Sequence, residues 1–178
     1  VDHVLDLDRV VASDLDEATV SEFLAHVETE YGIPADAGSP EDVASCDVIS
    51  TTTPSRDPVL AADWVEPGAH VNAIGADAEG KQELDSALLA ASAVVIDDWE
   101  QCAHSGEINV PVAEGTVDRD DVAAELGDVV AGSSGDLRPE RTVFDSTGLA
   151  IQDIATARVL FDAATEADEG HVLDIVGT

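Results

Sequence analysis

Short apolar runs alternate with helix-period segments along most of this 178-residue chain, and that alternation constrains the fold more than any other feature. Residues 10–13 read as a strand ending at Asp14. From Glu17 to Tyr31, the residues Val20, Phe23, Leu24, Val27 and Tyr31 recur at helical spacing. Ser39-Pro40-Glu41-Asp42 combines a capping hydroxyl, a proline at the first helical position and acids in the first turn, which predicts a second helix. Further strands are expected at residues 47–51, 70–74, 93–96 and 142–144, with helices over 81–92, 118–130 (stopped by Gly132) and 149–166. The last helix has an apolar face with Ile151, Ile154, Ala155 and Val159. Strands and helices in this order imply an α/β protein with a mainly parallel sheet covered on both faces. Ligands of such sheets bind beyond the C-terminal ends of the strands. The residues to interrogate are therefore Asp14, 51–54, 75–81 and 145–148.

Asp14 is placed like the acid that, in dinucleotide-binding folds, accepts hydrogen bonds from the adenosine ribose and repels a 2′-phosphate. The Gly-rich turn that should stand about 20 residues upstream is not found before it. Either the fold is a different one, or the chain begins inside it, after the first strand and phosphate loop. Gly75 to Lys81 fits G-x-x-x-x-G-K after a strand, yet Gln82 replaces the magnesium-binding hydroxyl. Asp77 and Glu79 would also set two negative charges inside a phosphate cradle, so electrostatics reject that reading. A carboxylate at a strand mouth suits proton transfer; a glycine-flanked turn with surface acids is the plainer alternative. Thr51-Thr52-Thr53-Pro54 offers hydroxyls and amides for a ribose or phosphate, or simply caps a loop. Ser146 or Thr147 is expected to cap the long helix, whose free N–H groups suit an anion or a polarised carbonyl.

Other chemistries find no support. His3, His26, His70, His104 and His171 are too dispersed for a metal motif, and only His104, beside Cys102, lies in a suggestive loop. Cys46 and Cys102 have no C-x-x-C spacing, and no G-x-S-x-G elbow occurs. The 39 acidic side chains against 7 basic ones give a net charge of −32, which disfavours nucleic acid and anionic membranes as partners. No apolar run is long enough for a membrane span, and no signal-peptide pattern opens the sequence, so a cytoplasmic setting is expected. Carboxylates spread over the whole chain, with lysine only at Lys81, point to adaptation to multimolar salt. A calcium loop of the D-x-[DN]-x-[DN]-G type is missing, so no metal is expected.

Residues 70–84, with Asn72-Ala73-Ile74-Gly75-Ala76-Asp77 leading to Lys81-Gln82-Glu83-Leu84, resemble a signature of the ornithine cyclodeaminase/mu-crystallin family. Residues 142–153, containing Asp145-Ser146-Thr147-Gly148, resemble a second one. Asp97-Asp98-Trp99-Glu100-Gln101 and Gly106-Glu107-Ile108-Asn109-Val110 are similar to the archaeal alanine dehydrogenase branch of that family. The resemblance implies a Rossmann-type, doubly wound α/β fold lacking its first strand and Gly-rich loop. Residues 1–147 would form a partial NAD-binding domain. Residues 148–178 would be a C-terminal helix and tail returning to a substrate and dimerisation domain. It further implies NAD as cofactor, a small amino acid as substrate and a homodimer. Asp14 would bind the ribose; Thr51, Val71, Asn72, Ala73 and Ile74 would line the cofactor near the nicotinamide; Lys81 and Ser146 would also touch it. Asp77 would be the catalytic carboxylate, moving protons for the amine and the attacking water while hydride passes to the nicotinamide. The implied reaction is reversible oxidative deamination of L-alanine to pyruvate and ammonia. Cyclisation of L-ornithine to L-proline and ammonia, or non-catalytic ligand binding of the mu-crystallin kind, are the alternatives. The family's Gly-rich loop and the Arg and Lys that grip the substrate are expected upstream of Val1. The isolated chain is thus expected neither to turn over nor to bind NAD tightly.

Overall fold

A computed structural model describes residues 4–137 and 141–171. The chain opens with strand β1 (Val10–Ala12) and helix α1 (Glu17–Tyr31). The Asp16 carboxylate caps α1 by accepting from the Ala18 and Thr19 amides, and Gly32 ends it in the left-handed conformation at φ 68°. Val20 and Val27 are buried, whereas Phe23 and Tyr31 of the same periodic set are exposed. A short strand β2 (Ala35–Ala37) precedes α2 (Pro40–Ala44), where Ser39 and Asp42 form a reciprocal capping box.

Strands β3 (Val48–Thr51) and β4 (His70–Ala73) follow, then α3 (Ser86–Ala90) and β5 (Ala93–Ile96). Two helices that the sequence did not suggest come next, α4 (Trp99–Ser105) and α5 (Asn109–Ala113). The two-residue strand β6 (Ala124–Glu125), α6 (Leu126–Ala131), β7 (Thr142–Asp145) and α7 (Ala150–Glu166) complete the order.

Five strands form a wholly parallel sheet in the order β3-β4-β7-β5-β6, so the chain crosses past β5 and β6 and returns to insert β7 at the centre. This is a Rossmann-type α/β arrangement. β1 and β2 pair in parallel with each other and make a separate two-stranded sheet, rather than joining the main one. One face of the main sheet holds the core: Ile49, Val71, Ala73, Val143 and Ile96 pack with Leu60, Leu84, Leu88, Leu89, Cys102 and Ile108. Burying each of the larger aliphatic chains stabilises the fold by about 1.5–3 kcal/mol. On the opposite face Ser50 is exposed, and Asn72 and Phe144 are half-buried. There a polar ladder joins neighbouring strands, with His70 Nδ1 2.7 Å from Thr142 Oγ1 and Nε2 3.1 Å from Asn72 Oδ1.

Three expectations need correction. The helix expected over 81–92 is confined to Ser86–Ala90, because the Glu83 and Leu84 amides donate to the Glu107 carboxylate and Leu84 bridges to Leu60. The helix expected over 118–130 is broken into a 3₁₀ turn (Arg119–Asp121), β6 and α6. The Ala123 amide bonds to the Val94 carbonyl, and the edge of β5 captures the segment as strand. Helix α7 starts after Leu149, so neither Ser146 nor Thr147 caps it.

The chain divides into two compact units, Val1–Thr147 and Gly148–Thr178. Within the second, α7 exposes Ile151, Ile154, Val159, Leu160 and Phe161, each by 65% or more. Residues 172–178 of the expected tail, and His3, lie outside the described residues. No helix among the described residues is long and apolar enough to cross a membrane.

Candidate functional site

The register of the main sheet lines up Thr51, Ala73, Asp145 and Ile96 in one row across β3, β4, β7 and β5. The ladder runs one step beyond that row: the Ile74, Ser146 and Asp97 amides donate to the carbonyls of Thr51, Ala73 and Asp145 at 3.0, 3.2 and 3.2 Å. Thr51 to Thr53, Ile74 to Lys81, Ser146 and Asp97 therefore share the C-terminal mouth of the sheet.

The loop leaving β4 carries the candidate groups Asp77 and Lys81. Asp77 is exposed and accepts a hydrogen bond from the Lys81 ammonium. That bond, and then the charge of Lys81, holds the Asp77 carboxyl below its ordinary range. Asp77 is accordingly ionised throughout the neutral range. The loop is tied down from two sides. Asn109, almost wholly buried at the start of α5, accepts from the Gly80 amide at 2.8 Å and donates to the Lys81 carbonyl at 2.8 Å. Arg56 donates to the Glu79 carbonyl at 3.1 Å. A groove of about 370 Å³ opens beside the loop, lined in part by Glu79, His104, Asn109 and Glu114. His104 belongs to the last turn of α4, not to a loop as expected.

Beneath the mouth lie three carboxyl groups with essentially no solvent exposure, Glu83, Glu107 and Asp145. The Glu83 carboxylate accepts from the Thr51 hydroxyl at 2.7 Å, the Thr53 amide and the Gly75 amide at 2.9 Å. The Glu107 carboxyl accepts from the Glu83 and Leu84 amides. The Asp145 carboxyl accepts from the Glu107 and Ile108 amides at 2.8 and 3.1 Å. Burial pushes Glu107 up to about 8 and Asp145 up to about 6, against the opposing pull of these amides. Burial, followed by the charge of Asp145, pushes the Cys102 thiol up to about 12 and leaves it inert.

The expected residues are distributed unevenly about this mouth. Thr51, Ala73, Ile74, Asp77, Lys81 and Ser146 are brought together at it. The Thr51 hydroxyl is committed to Glu83, and the Ser146 hydroxyl donates to Asp97 at 2.7 Å. Val71 is enclosed in the core, Ala73 is 1% exposed, and Asn72 belongs to the polar ladder on the other face. Ile74, by contrast, presents a 41% exposed side chain at the rim. Asp14 follows β1 of the separate small sheet and accepts from the Asp16 amide. Sequence reasoning did not single out Glu83, Glu107 or Asn109 as site residues. Their traces were membership of the signature segments and position: each acid directly precedes an aliphatic residue, Leu84 or Ile108, inside a segment that ends up buried. Among the described residues no group of three or more His, Cys, Asp or Glu is arranged to hold a metal ion.

Known proteins share this fold. The model of the ornithine cyclodeaminase/mu-crystallin family matches residues 1–168. Alanine dehydrogenase from Archaeoglobus fulgidus is 47% identical over 169 residues, covering 94% of this chain and 52% of the relative. A solved archaeal alanine dehydrogenase dimer with bound NAD superposes with a TM-score of 0.91 at 45% identity, covering 98% of this chain and 55% of that one. The iminosuccinate reductase of Paracoccus denitrificans in complex with NAD+ gives 0.87 at 33% identity, with 97% and 54% covered. The chain thus spans about half the length of the relatives it matches, and those relatives act on different substrates.

Proposed function

This chain belongs to the ornithine cyclodeaminase/mu-crystallin family, and from that footing we propose that its gene product is an NAD-dependent amino-acid oxidoreductase that deaminates L-alanine to pyruvate and ammonia. The observation that carries the reading is Asp77: an exposed carboxylate just beyond β4, kept ionised by Lys81, on a loop anchored by buried Asn109. Similarity to an alanine dehydrogenase at 47% identity favours alanine within the family.

The residues at the mouth suit NAD. Ile74 offers an exposed apolar surface for a flat nicotinamide ring, beside the row of strand ends. Asp14 offers an exposed carboxylate for ribose hydroxyls, and its charge disfavours the 2′-phosphate of NADP. Bound NAD supplies the acceptor for the substrate hydride. Asp77 takes a proton from the substrate ammonium and passes it to solvent. It then takes one from the water that adds to the imine carbon and returns it to the nitrogen, which leaves as ammonia when the carbonyl forms. Lys81 orients that carboxylate, and Thr51 and Ser146 shape the rim through their bonds to Glu83 and Asp97. In this reading residues 1–147 serve the cofactor and residues 148–178 serve substrate binding and a homodimer contact. The charge of −32 fits work in a salt-rich cytoplasm.

The test uses the product of the complete reading frame that encodes this chain, in concentrated KCl. Asp77→Asn is expected to lower kcat about 10²–10⁴-fold while the Kd for NAD changes little. Retained turnover, or loss of NAD binding instead, would show that the role of Asp77 is assigned wrongly.

A further inference from the structure

Glu83 closes the loop that begins at Gly75, because its carboxylate reaches back to the Gly75 amide. The same carboxylate takes the hydroxyl of Thr51 and the amide of Thr53 from the neighbouring strand end. Its backbone is held as well: the amide donates to Glu107, and the carbonyl accepts from Val59 and Leu60. Each link leads to the next strand. Glu83 binds the ends of β3 and β4 through its side chain and Glu107 through its backbone, and Glu107 binds Asp145 at the end of β7 through its own backbone.

A fully buried carboxylate is costly, and a residue kept only to fill the core would be aliphatic. The donor set explains the acid. Three donors from two strands converge on this side chain, and two acceptor oxygens with four lone pairs accommodate them. A glutamine of the same volume keeps one acceptor oxygen and turns an NH₂ group toward N–H donors. The space is closed to any shift, since a Cβ built on Gly75 would lie 2.5 Å from the Glu83 Oε1 atom and 2.4 Å from the Thr53 carbonyl oxygen.

We propose that Glu83 is the positioning residue of this site, tying the ends of β3 and β4 together and so fixing the loop that presents Asp77 and Lys81. Its catalytic consequence rests on the role given to Asp77 above; its structural content does not. Asp77 itself is exposed and, among the described residues, pairs within the loop, with Lys81. Its position therefore depends on the anchors of the loop: Glu83 at its base, beside Asn109 and Arg56 at its far end.

Residue-resolved amide hydrogen exchange on the whole chain in concentrated KCl tests the proposal, comparing wild type with Glu83→Gln. Protection at Thr53 and Gly75 is expected to fall by about tenfold or more, while Val71 and Val143 inside the sheet stay within about twofold. In the complete gene product, kcat falls by about tenfold to a hundredfold with little change in the KM for NAD. Unchanged exchange at Thr53 and Gly75 overturns the proposal. So does an equal loss at Val71 and Val143, which would make Glu83 an ordinary core residue. Should Glu83→Gln not fold, Thr51→Val carries the test, because it removes one of the three donors at nearly constant volume. Faster exchange at Thr53 and Gly75 then supports the anchor, and unchanged exchange overturns it. A gene product without amino-acid-dependent NADH formation would defeat the role of Asp77 and leave the exchange result standing.

Discussion

Glu107 and Asp145 are acids that the fold makes reluctant to ionise. Their folded values, about 8 and about 6, lie above the ordinary 4.5 and 3.8, chiefly through burial. The folded chain therefore retains protons that the unfolded chain releases. Stability from this source is complete below the ordinary carboxylate range and is lost as pH rises through about 6 for Asp145 and about 8 for Glu107. At constant KCl, the free energy of unfolding should fall between about pH 4 and about pH 8, by up to about 1.4 kcal/mol per pH unit for each titrating group. Glu107→Gln should flatten the alkaline half of that slope, because the amide oxygen still accepts from Glu83 or Leu84 but no longer titrates. An unchanged slope in urea titrations of the variant would contradict the assignment.

At the scale of elements, two glycines set how closely the pieces meet. A Cβ on Gly75 would strike the Thr53 backbone at 2.4–2.5 Å, and one on Gly106 would strike both Asp145 carboxylate oxygens at 2.7 Å and the Cys102 Cα at 2.8 Å. Gly75→Ala and Gly106→Ala should each cost about 1–3 kcal/mol by overpacking. Gly127→Ala, in α6 with nothing within 4 Å, should be neutral or stabilising. Thermal unfolding decides, and equal effects at all three positions would refute the close approach. Elements with local signals were legible in the sequence: α1 from its periodicity, α2 from its cap and proline, and β3, β4, β5 and β7 from short apolar runs. β2 was not, because Ala35-Asp36-Ala37 is only three residues long and has no β-branched or aromatic side chain, and it becomes a strand by pairing with β1. The Leu- and Ala-rich stretch after Lys81 favours helix, but the distant carboxyl of Glu107 takes its first amides. Asp77 and Lys81 stood out through their loop pattern. Asp145 stood out by its place at a strand end, but Glu83 and Glu107 did not, since one acid among 39 gives no contrast until burial is known.

Taken as a whole, the molecule carries its charge of −32 with seven basic residues, and its one lysine is paired with Asp77 at the mouth of the sheet. Near 1 M salt the Debye length shrinks to about 3 Å, which removes most of the self-repulsion of such a surface. The second unit exposes a set of apolar side chains on α7, surface of the kind that packs against further protein. The central proposal is an NAD-dependent amino-acid oxidoreductase working in concentrated salt. The measurement that tests it most directly is NADH formation by the complete gene product with NAD and L-alanine, against L-ornithine, in multimolar and in dilute KCl. The account predicts alanine-dependent NADH formation that is retained in multimolar KCl, declines on dilution and disappears in Asp77→Asn. NADH formation that does not depend on an amino acid, or that survives Asp77→Asn, would contradict it.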